Sequence, residues 1–247
     1  MLSFTSRRVE RVRHELMRRE LQVLRINPLT PGFVSITLGG DALASFVSLS
    51  FDDHVKVLLD ETPYGPQRRD FTPRHFDRDA RELTLEFALH AHGPACEWAR
   101  QARVGDHLSV GGPKGSMILP LDCDWHLLVG DASALPAIHR RLEELPAGSR
   151  VFAIVQVAQE SDRRTITSRA DMQLQWVSDD AALLAALRAL DLPAGRPGRE
   201  GFAWAAGEAA VMQKVRDIIL QEKHIAVANT RISAYWKRGA ADFHDTL

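Results

Sequence analysis

The chain has 247 residues, 45% hydrophobic and 26% charged, so it has room for one large domain or two ordinary ones and is not a disordered chain. Its net charge of −1 supplies no global field for nucleic acid, and an anionic partner has to be met by local cations. Two cysteines, Cys96 and Cys123, at unrelated spacing argue against a disulfide framework, an iron–sulfur cluster or a zinc ribbon; no run reaches membrane-span length or reads as a secretory signal, and a cytoplasmic location is expected.

Residues 7–19 are charge-dense, with Val9, Val12 and Leu16 at helical spacing, and read as a short helix or an extended arm. β-type runs follow at Leu21–Ile26, Phe33–Leu38, His54–Leu59 and Leu83–Leu89. Asn27-Pro28, Pro31-Gly32, Gly39-Gly40-Asp41 and Pro63-Tyr64-Gly65-Pro66 divide them. Short strands at close intervals with turn chemistry between them indicate an antiparallel barrel. A helix from Pro94 to Ala102 interrupts it, and Gly105-Asp106 opens a strand over His107–Gly111.

Past Pro120 the rhythm changes. Strands are expected at Trp125–Gly130, Val151–Val157, Leu174–Val177, Phe202–Ala206 and Arg231–Trp236, and helices at Leu135–Leu145, Ala181–Leu190 and Glu208–Glu222. Alternation of strand and helix is the pattern of a parallel sheet with crossovers. The expected fold is therefore β plus α/β: an antiparallel barrel over 18–120, then an α/β nucleotide-binding domain over 121–247.

Within the barrel half, Arg69-Asp70-Phe71-Thr72-Pro73-Arg74 gathers two cations, an aromatic ring and a hydroxyl at the end of a β-like run. Alternation puts Arg69 and Phe71 on one strand face, while the turn before Pro73 aims the Thr72 hydroxyl. A guanidinium for a phosphate and a ring for stacking suit a planar heterocycle, although an arginine-rich strand end would look the same. His90-Ala91-His92-Gly93-Pro94-Ala95 leaves a strand and opens a helix whose first amides form an anion cradle. The two histidines lack a third ligand at metal spacing, and no protein metal site is expected. Gly111–Ser116 reads as a tight loop carrying Lys114.

In the α/β half, Gly130-Asp131-Ala132-Ser133 lies at a strand end, where a parallel sheet holds ligands, but without a glycine-rich fingerprint. A helix capped by Asp131 or Ser133, with Pro136 in its first turn, explains the same residues. Ala206-Gly207-Glu208 is either a nucleotide-side loop or ordinary helix entry. Tyr235-Trp236-Lys237-Arg238-Gly239 joins two aromatics to two cations. No Ser/His/Asp or Cys/His nucleophile set has a recognisable context.

Taken together, these segments resemble the siderophore-interacting protein family, the flavin-dependent ferric-siderophore reductases of bacteria, from about Val23 to Gly239. The resemblance rests on Asp53–Leu58, Arg69–Arg74, Phe87–Ala95 with Trp98-Ala99, Gly105-Asp106, Gly112–Gly115, Asp131–Ala137, Trp204–Glu208 and Tyr235–Gly239. It implies a ferredoxin-NADP reductase-like architecture, an antiparallel barrel holding FAD and an α/β domain for NADPH or NADH.

Carried over by motif, Arg69 meets the FAD phosphate, with Asp70 beside it, and Phe71 and Thr72 line the isoalloxazine. His90, Gly93, Pro94 and Ala95 hold the ribityl–pyrophosphate, and Trp98 buttresses their helix. Asp131 and Ser133 approach the flavin or nicotinamide. Where the family usually carries Tyr, this chain has Phe71, which keeps the stacking face and loses a phenolic hydrogen bond.

The implied reaction takes hydride from the nicotinamide and passes electrons singly to a ferric siderophore, with Lys56, Lys237 and Arg238 as candidate docking cations. Arg163 and Arg164 are candidates for reading a 2′-phosphate. A monomer is expected, with no nucleic acid and no membrane insertion. Two rival readings are a non-catalytic binding protein for a ferric chelate or flavin, and a general flavin reductase.

Overall fold

The computed structural model describes residues 9–59, 62, 65–89, 93–194 and 200–240, and the backbone at 245–246. The chain forms two compact units, one of Arg11–Ile118 and one of Leu119 onward, with Glu10 grouped with the latter.

The first unit runs β1 (Glu10–Arg13), β2 (Arg18–Thr30), β3 (Phe33–Gly39), β4 (Val55–Leu59), β5 (Gln67–Phe71), β6 (His75–Asp77), β7 (Glu82–Ala88), α1 (Pro94–Gln101), β8 (His107–Gly111) and β9 (Gly115–Ile118). Seven of these strands form one sheet in the order β5-β4-β8-β2-β3-β7-β6, antiparallel at every pairing given by register. Its two edges, β5 and β6, are joined only by Thr72–Arg74. A flat sheet of this order would hold its edges roughly 29 Å apart at about 4.8 Å per strand. The link reaches only roughly 14 Å. The sheet must therefore curl until its edges meet, which makes it the expected barrel.

Alternation fills the barrel. Leu21 and Val23 of β2, Val55 and Val57 of β4, Leu83 and Leu85 of β7, and Leu108 and Val110 of β8 all lie in one core. Residues between them face outward, as a period of two requires. Of the two readings of residues 7–19, the described part takes the extended one: β1 pairs with β9 in a separate ribbon. Strands β1, β6 and β9 are too short for a period of two to show in the sequence.

The second unit runs β10 (His126–Gly130), α2 (Leu135–Glu144), β11 (Arg150–Gln156), β12 (Asp171–Val177), α3 (Asp180–Ala189), β13 (Phe202–Glu208), α4 (Ala209–Asp217), β14 (Thr230–Trp236) and β15 (Asp245–Thr246). The sheet order is β12-β11-β10-β13-β14-β15, parallel except for the last pairing. Strand order reverses between β10 and β13, so their carboxyl ends form the switch point at which doubly wound sheets hold ligands.

Val129, Ile154, Ala205 and Ile232 pack against α3 and α4. Gly130 faces the opposite way, toward α2: a Cβ there would lie 2.5 Å from the Ala134 Cβ and 2.8 Å from the Ala206 carbonyl. The last helix was expected to reach Glu222. It ends as α4 at Asp217 and continues as a wider π turn over Ile218–Glu222, where the Lys223 amide donates to the Ile218 carbonyl at 2.9 Å.

Candidate functional site

On the barrel's edge strand β5, Asp70 faces Lys56 of β4 in register, and Lys56 Nζ lies 2.8 Å from Asp70 Oδ1. Arg69, partly exposed, donates from Nη1 to the Arg68 carbonyl at 2.7 Å and from Nη2 to Gln67 Oε1 at 3.1 Å. Arg74, the second cation of this segment, is buried against Glu86 of β7, with Nε 3.1 Å from Oε1. Of the two arginines, only Arg69 remains at the surface.

Phe71 packs on Phe87 with ring centroids 4.4 Å apart, and Phe87 on Trp98 at 5.7 Å. This aromatic ladder ties β5 through β7 to α1, in which Trp98 lies. Thr72 is buried in the turn that closes the barrel.

Gly93 precedes α1 with φ 139° and no side chain caps the helix; Pro94 stands in its first turn. Among the described residues, a Cβ on Gly93 would meet nothing within 4 Å. Ala95 is buried behind it, and the Cys96 thiol donates to the Ala88 carbonyl at 2.9 Å. His90 and His92 lie outside the described residues. Among the described residues, no group of three or more His, Cys, Asp or Glu side chains comes together as a metal site.

Asp53 holds the segment before β4. Its Oδ2 accepts from Ser116 Oγ at 2.7 Å, Ser48 Oγ at 2.9 Å and the Ser50 amide at 3.1 Å. The Asp53–Leu58 motif is thus partly a polar anchor for the chain entering β4.

At the switch point of the second unit, Asp131 follows β10. Its Oδ1 accepts from the Ser133 amide at 2.8 Å and from Ser133 Oγ at 2.5 Å. Its Oδ2 accepts from the Glu208 amide at 2.9 Å and from Trp236 Nε1 at 2.8 Å. Enclosure raises the Asp131 pKa above the usual carboxylate range, against the pull of these hydrogen bonds. Neither Asp131 nor Ser133 caps α2 by its side chain: Ala134 is the N-cap, and the Asp131 carbonyl accepts from the Ala134 and Leu135 amides.

Glu208 caps α4, its Oε2 accepting from the Ala210 and Val211 amides at 2.7 and 3.1 Å, while Oε1 accepts from the Arg238 amide at 3.2 Å. Arg238 Nη2 also reaches Asp180 Oδ2 at 3.3 Å. Arg163 is exposed and paired with Glu160 at 3.1 Å; Arg164 is half-buried.

Residues 22–67 and 61–117 match the model of the siderophore-interacting FAD-binding domain, and residues 123–239 match that of the siderophore-interacting protein. The chain is 34% identical over 254 residues to the NADPH-dependent ferric-chelate reductase of Escherichia coli, covering 94% of this chain and 98% of that relative. The chain belongs to the siderophore-interacting protein family. Another relative, the ferric vibriobactin reductase of Vibrio cholerae, is 29% identical over 258 residues, 95% of this chain and 93% of its own. The crystal structure of a siderophore utilization protein from T. fusca superposes with a TM-score of 0.87 at 31% identity, covering 95% of this chain and 98% of that one.

In this siderophore-interacting protein the barrel residues fit FAD. An uncapped helix start with room at its glycine for a close approach suits a pyrophosphate, and the Phe71 ring with the Thr72 turn suits a planar ring system. Sequence reasoning missed that Glu208 and Trp236 converge on Asp131. The signal for it was the strand order, since only the reversal between β10 and β13 makes those ends neighbours.

Proposed function

We propose that this protein is a flavin-dependent ferric-siderophore reductase, taking electrons from NADPH and delivering them to chelated Fe(III). The observation that carries this reading is the barrel closure. Arg69 and Phe71 stand on edge strand β5 and Thr72 opens the closing link, and an aromatic ladder ties this edge to an uncapped, glycine-led helix. Family membership and the ferric-chelate and ferric vibriobactin reductases among the relatives support it.

Arg69 is the proposed phosphate contact, and the amides opening α1 after Gly93 and Pro94, with Ala95, cradle the pyrophosphate. Phe71 supplies a face for the isoalloxazine, and the Thr72 hydroxyl an edge contact. FAD, when bound, accepts two electrons as hydride and releases them one at a time. One NADPH and two ferric chelates thus give NADP⁺, a proton and two Fe(II), which hard oxygen donors hold weakly. Lys56, and separately Lys237 with Arg238, are proposed docking cations for anionic chelates. Ser133 and Arg163 are proposed nucleotide contacts. A cytoplasmic monomer completes the proposal; size-exclusion chromatography with light scattering tests the monomer. Among the described residues no helix is long and apolar enough to cross a membrane.

The test is optical. Purified protein should show flavin absorption that bleaches with NADPH under argon and returns on adding a ferric chelate. A colourless protein that does not take up FAD would overturn the reading. Chelate reduction that requires added free flavin would point to a general flavin reductase, and a coloured protein that NADPH cannot bleach would point to a binding protein.

A further inference from the structure

Asp131 occupies the place at which a ligand contact was expected, the carboxyl end of the first parallel strand. A carboxylate offers about four lone-pair sites. Four donors fill them here: the Ser133 amide and hydroxyl on Oδ1, the Glu208 amide and the Trp236 indole on Oδ2. No acceptor site on Asp131 is left over for a nicotinamide or a flavin. What the carboxylate does instead is join the ends of β10, β13 and β14.

Trp236 is the last residue of β14, 39% exposed, and Lys237 and Arg238 follow it directly. The indole is fixed by Asp131, and two residues later the Arg238 amide is fixed by Glu208 Oε1. Glu208 is held in turn, because its own amide is one of the donors to Asp131 and its other oxygen caps α4. Lys237 and Arg238 therefore stand on a turn tethered at both sides by acidic residues from neighbouring strand ends. Two flexible cations gain docking specificity only if their backbone is held, since otherwise ordering them costs much of what the charge attraction contributes.

We infer that Asp131, with Glu208, is a positioning residue for the Trp236–Arg238 turn, and that through this turn it sets selectivity for anionic over uncharged ferric chelates. The inference rests on the reductase reading, which supplies the chelate. An Asn at 131 offers one acceptor oxygen in place of two and turns an NH₂ toward donors, so Asp131→Asn loosens the turn without removing a cation. Trp236→Phe removes the indole donor and leaves the acid.

The experiment measures binding of two probes to the FAD-loaded protein: an anionic ferric 2,3-dihydroxybenzoate complex and uncharged ferric tris(acetohydroxamate). Alongside go flavin content, the KM for NADPH, and the rate of tryptic cleavage after Lys237 and Arg238 in the absence of chelate. Asp131→Asn should raise the dissociation constant of the anionic probe about tenfold, Trp236→Phe about threefold, with the uncharged probe, flavin content and KM for NADPH unmoved. Both variants should be cut faster at the turn.

Unchanged affinity for the anion in both variants overturns the inference, as does unchanged cleavage. So does a loss of flavin or of NADPH affinity in Asp131→Asn, which would make Asp131 a cofactor contact. If Asp131→Asn fails to fold, Trp236→Phe decides by the same criteria. Wild-type protein that binds neither probe overturns the reductase reading together with the inference. Wild-type protein that binds both, with variants equal to it, overturns the inference alone.

Discussion

His126 opens β10, 1% exposed, and no hydrogen-bond partner reaches its buried Nε2 among the described residues. Burial, reinforced by the nearby Arg141 guanidinium, lowers its pKa from 6.5 to about 4. Protonating this ring in the folded protein would bury a cation beside a second one. The unfolded chain binds the proton first as pH falls, so the stabilisation is complete above about pH 6.5 and is lost progressively from there to about pH 4, levelling off below. At 1.36 kcal/mol per pKa unit the whole loss is about 3 kcal/mol. The perturbation is His126→Leu, which removes the titration and keeps an apolar strand residue. The assay is urea unfolding of both proteins across this range, followed by tryptophan emission, since Trp125, Trp176, Trp204 and Trp236 lie in the α/β unit. Carboxylates titrate in both proteins and cancel in the difference. Wild type should lose about 3 kcal/mol more than the variant between pH 6.5 and 4. Stability profiles that run parallel would refute the reasoning.

Other outcomes follow from the same contacts. Arg69→Ala should weaken FAD binding by roughly 1.5–3 kcal/mol, a ten- to hundredfold rise in dissociation constant read by flavin release on dilution; unchanged occupancy removes Arg69 from the phosphate. Lys237→Glu should raise the KM for an anionic chelate about tenfold with flavin content intact, a difference that shrinks in high salt. Gly130→Ala places a methyl 2.5 Å from the Ala134 Cβ and should cost roughly 1–3 kcal/mol in the thermal transition of the α/β unit.

Both halves of the fold were legible because each carries its own period. Strands β2, β4, β7 and β8 alternate, and the later strands are continuous apolar runs separated by helical stretches. The ferredoxin-reductase-like architecture came from the family resemblance of the motifs and not from these periods, and the fold agrees with it. Pairing was needed for the rest. The loop reading of Gly111–Ser116 covers the start of β9, because four residues carry no period and the partner strand lies far earlier in the chain. The π turn was read as helix because Ile218 and Ile219 keep their helical spacing and burial through it. In the site, the residue types were visible and their partners were not. Arg74 reads like Arg69 until Glu86 is found beneath it, and the donors that reach Asp131 from Glu208 and Trp236 lie far along the chain.

Those partners also separate cations that can dock an anion from cations that cannot. A cation that is to meet an anionic chelate must be able to leave the carboxylate it already has. Arg74 cannot: its pair with Glu86 is 9% and 5% exposed, and separating it would strand Glu86 as an uncompensated charge, a penalty of roughly 3–5 kcal/mol. Lys56 and Asp70 are 49% and 20% exposed, and Arg238 and Asp180 71% and 39%. Pairs this open contribute at most about 1 kcal/mol, so a multiply charged chelate can draw the cation away at little cost. Neutralised in the resting protein, such cations add no strong positive field that would gather unrelated anions. By this reasoning Asp70→Asn should tighten binding of an anionic chelate by freeing Lys56, and Asp180→Asn should do the same through Arg238. The gain should be small, about two- to fivefold, because no more than the worth of an exposed pair is recovered. Weaker binding in Asp70→Asn would show that Asp70 orients Lys56 and does not merely neutralise it.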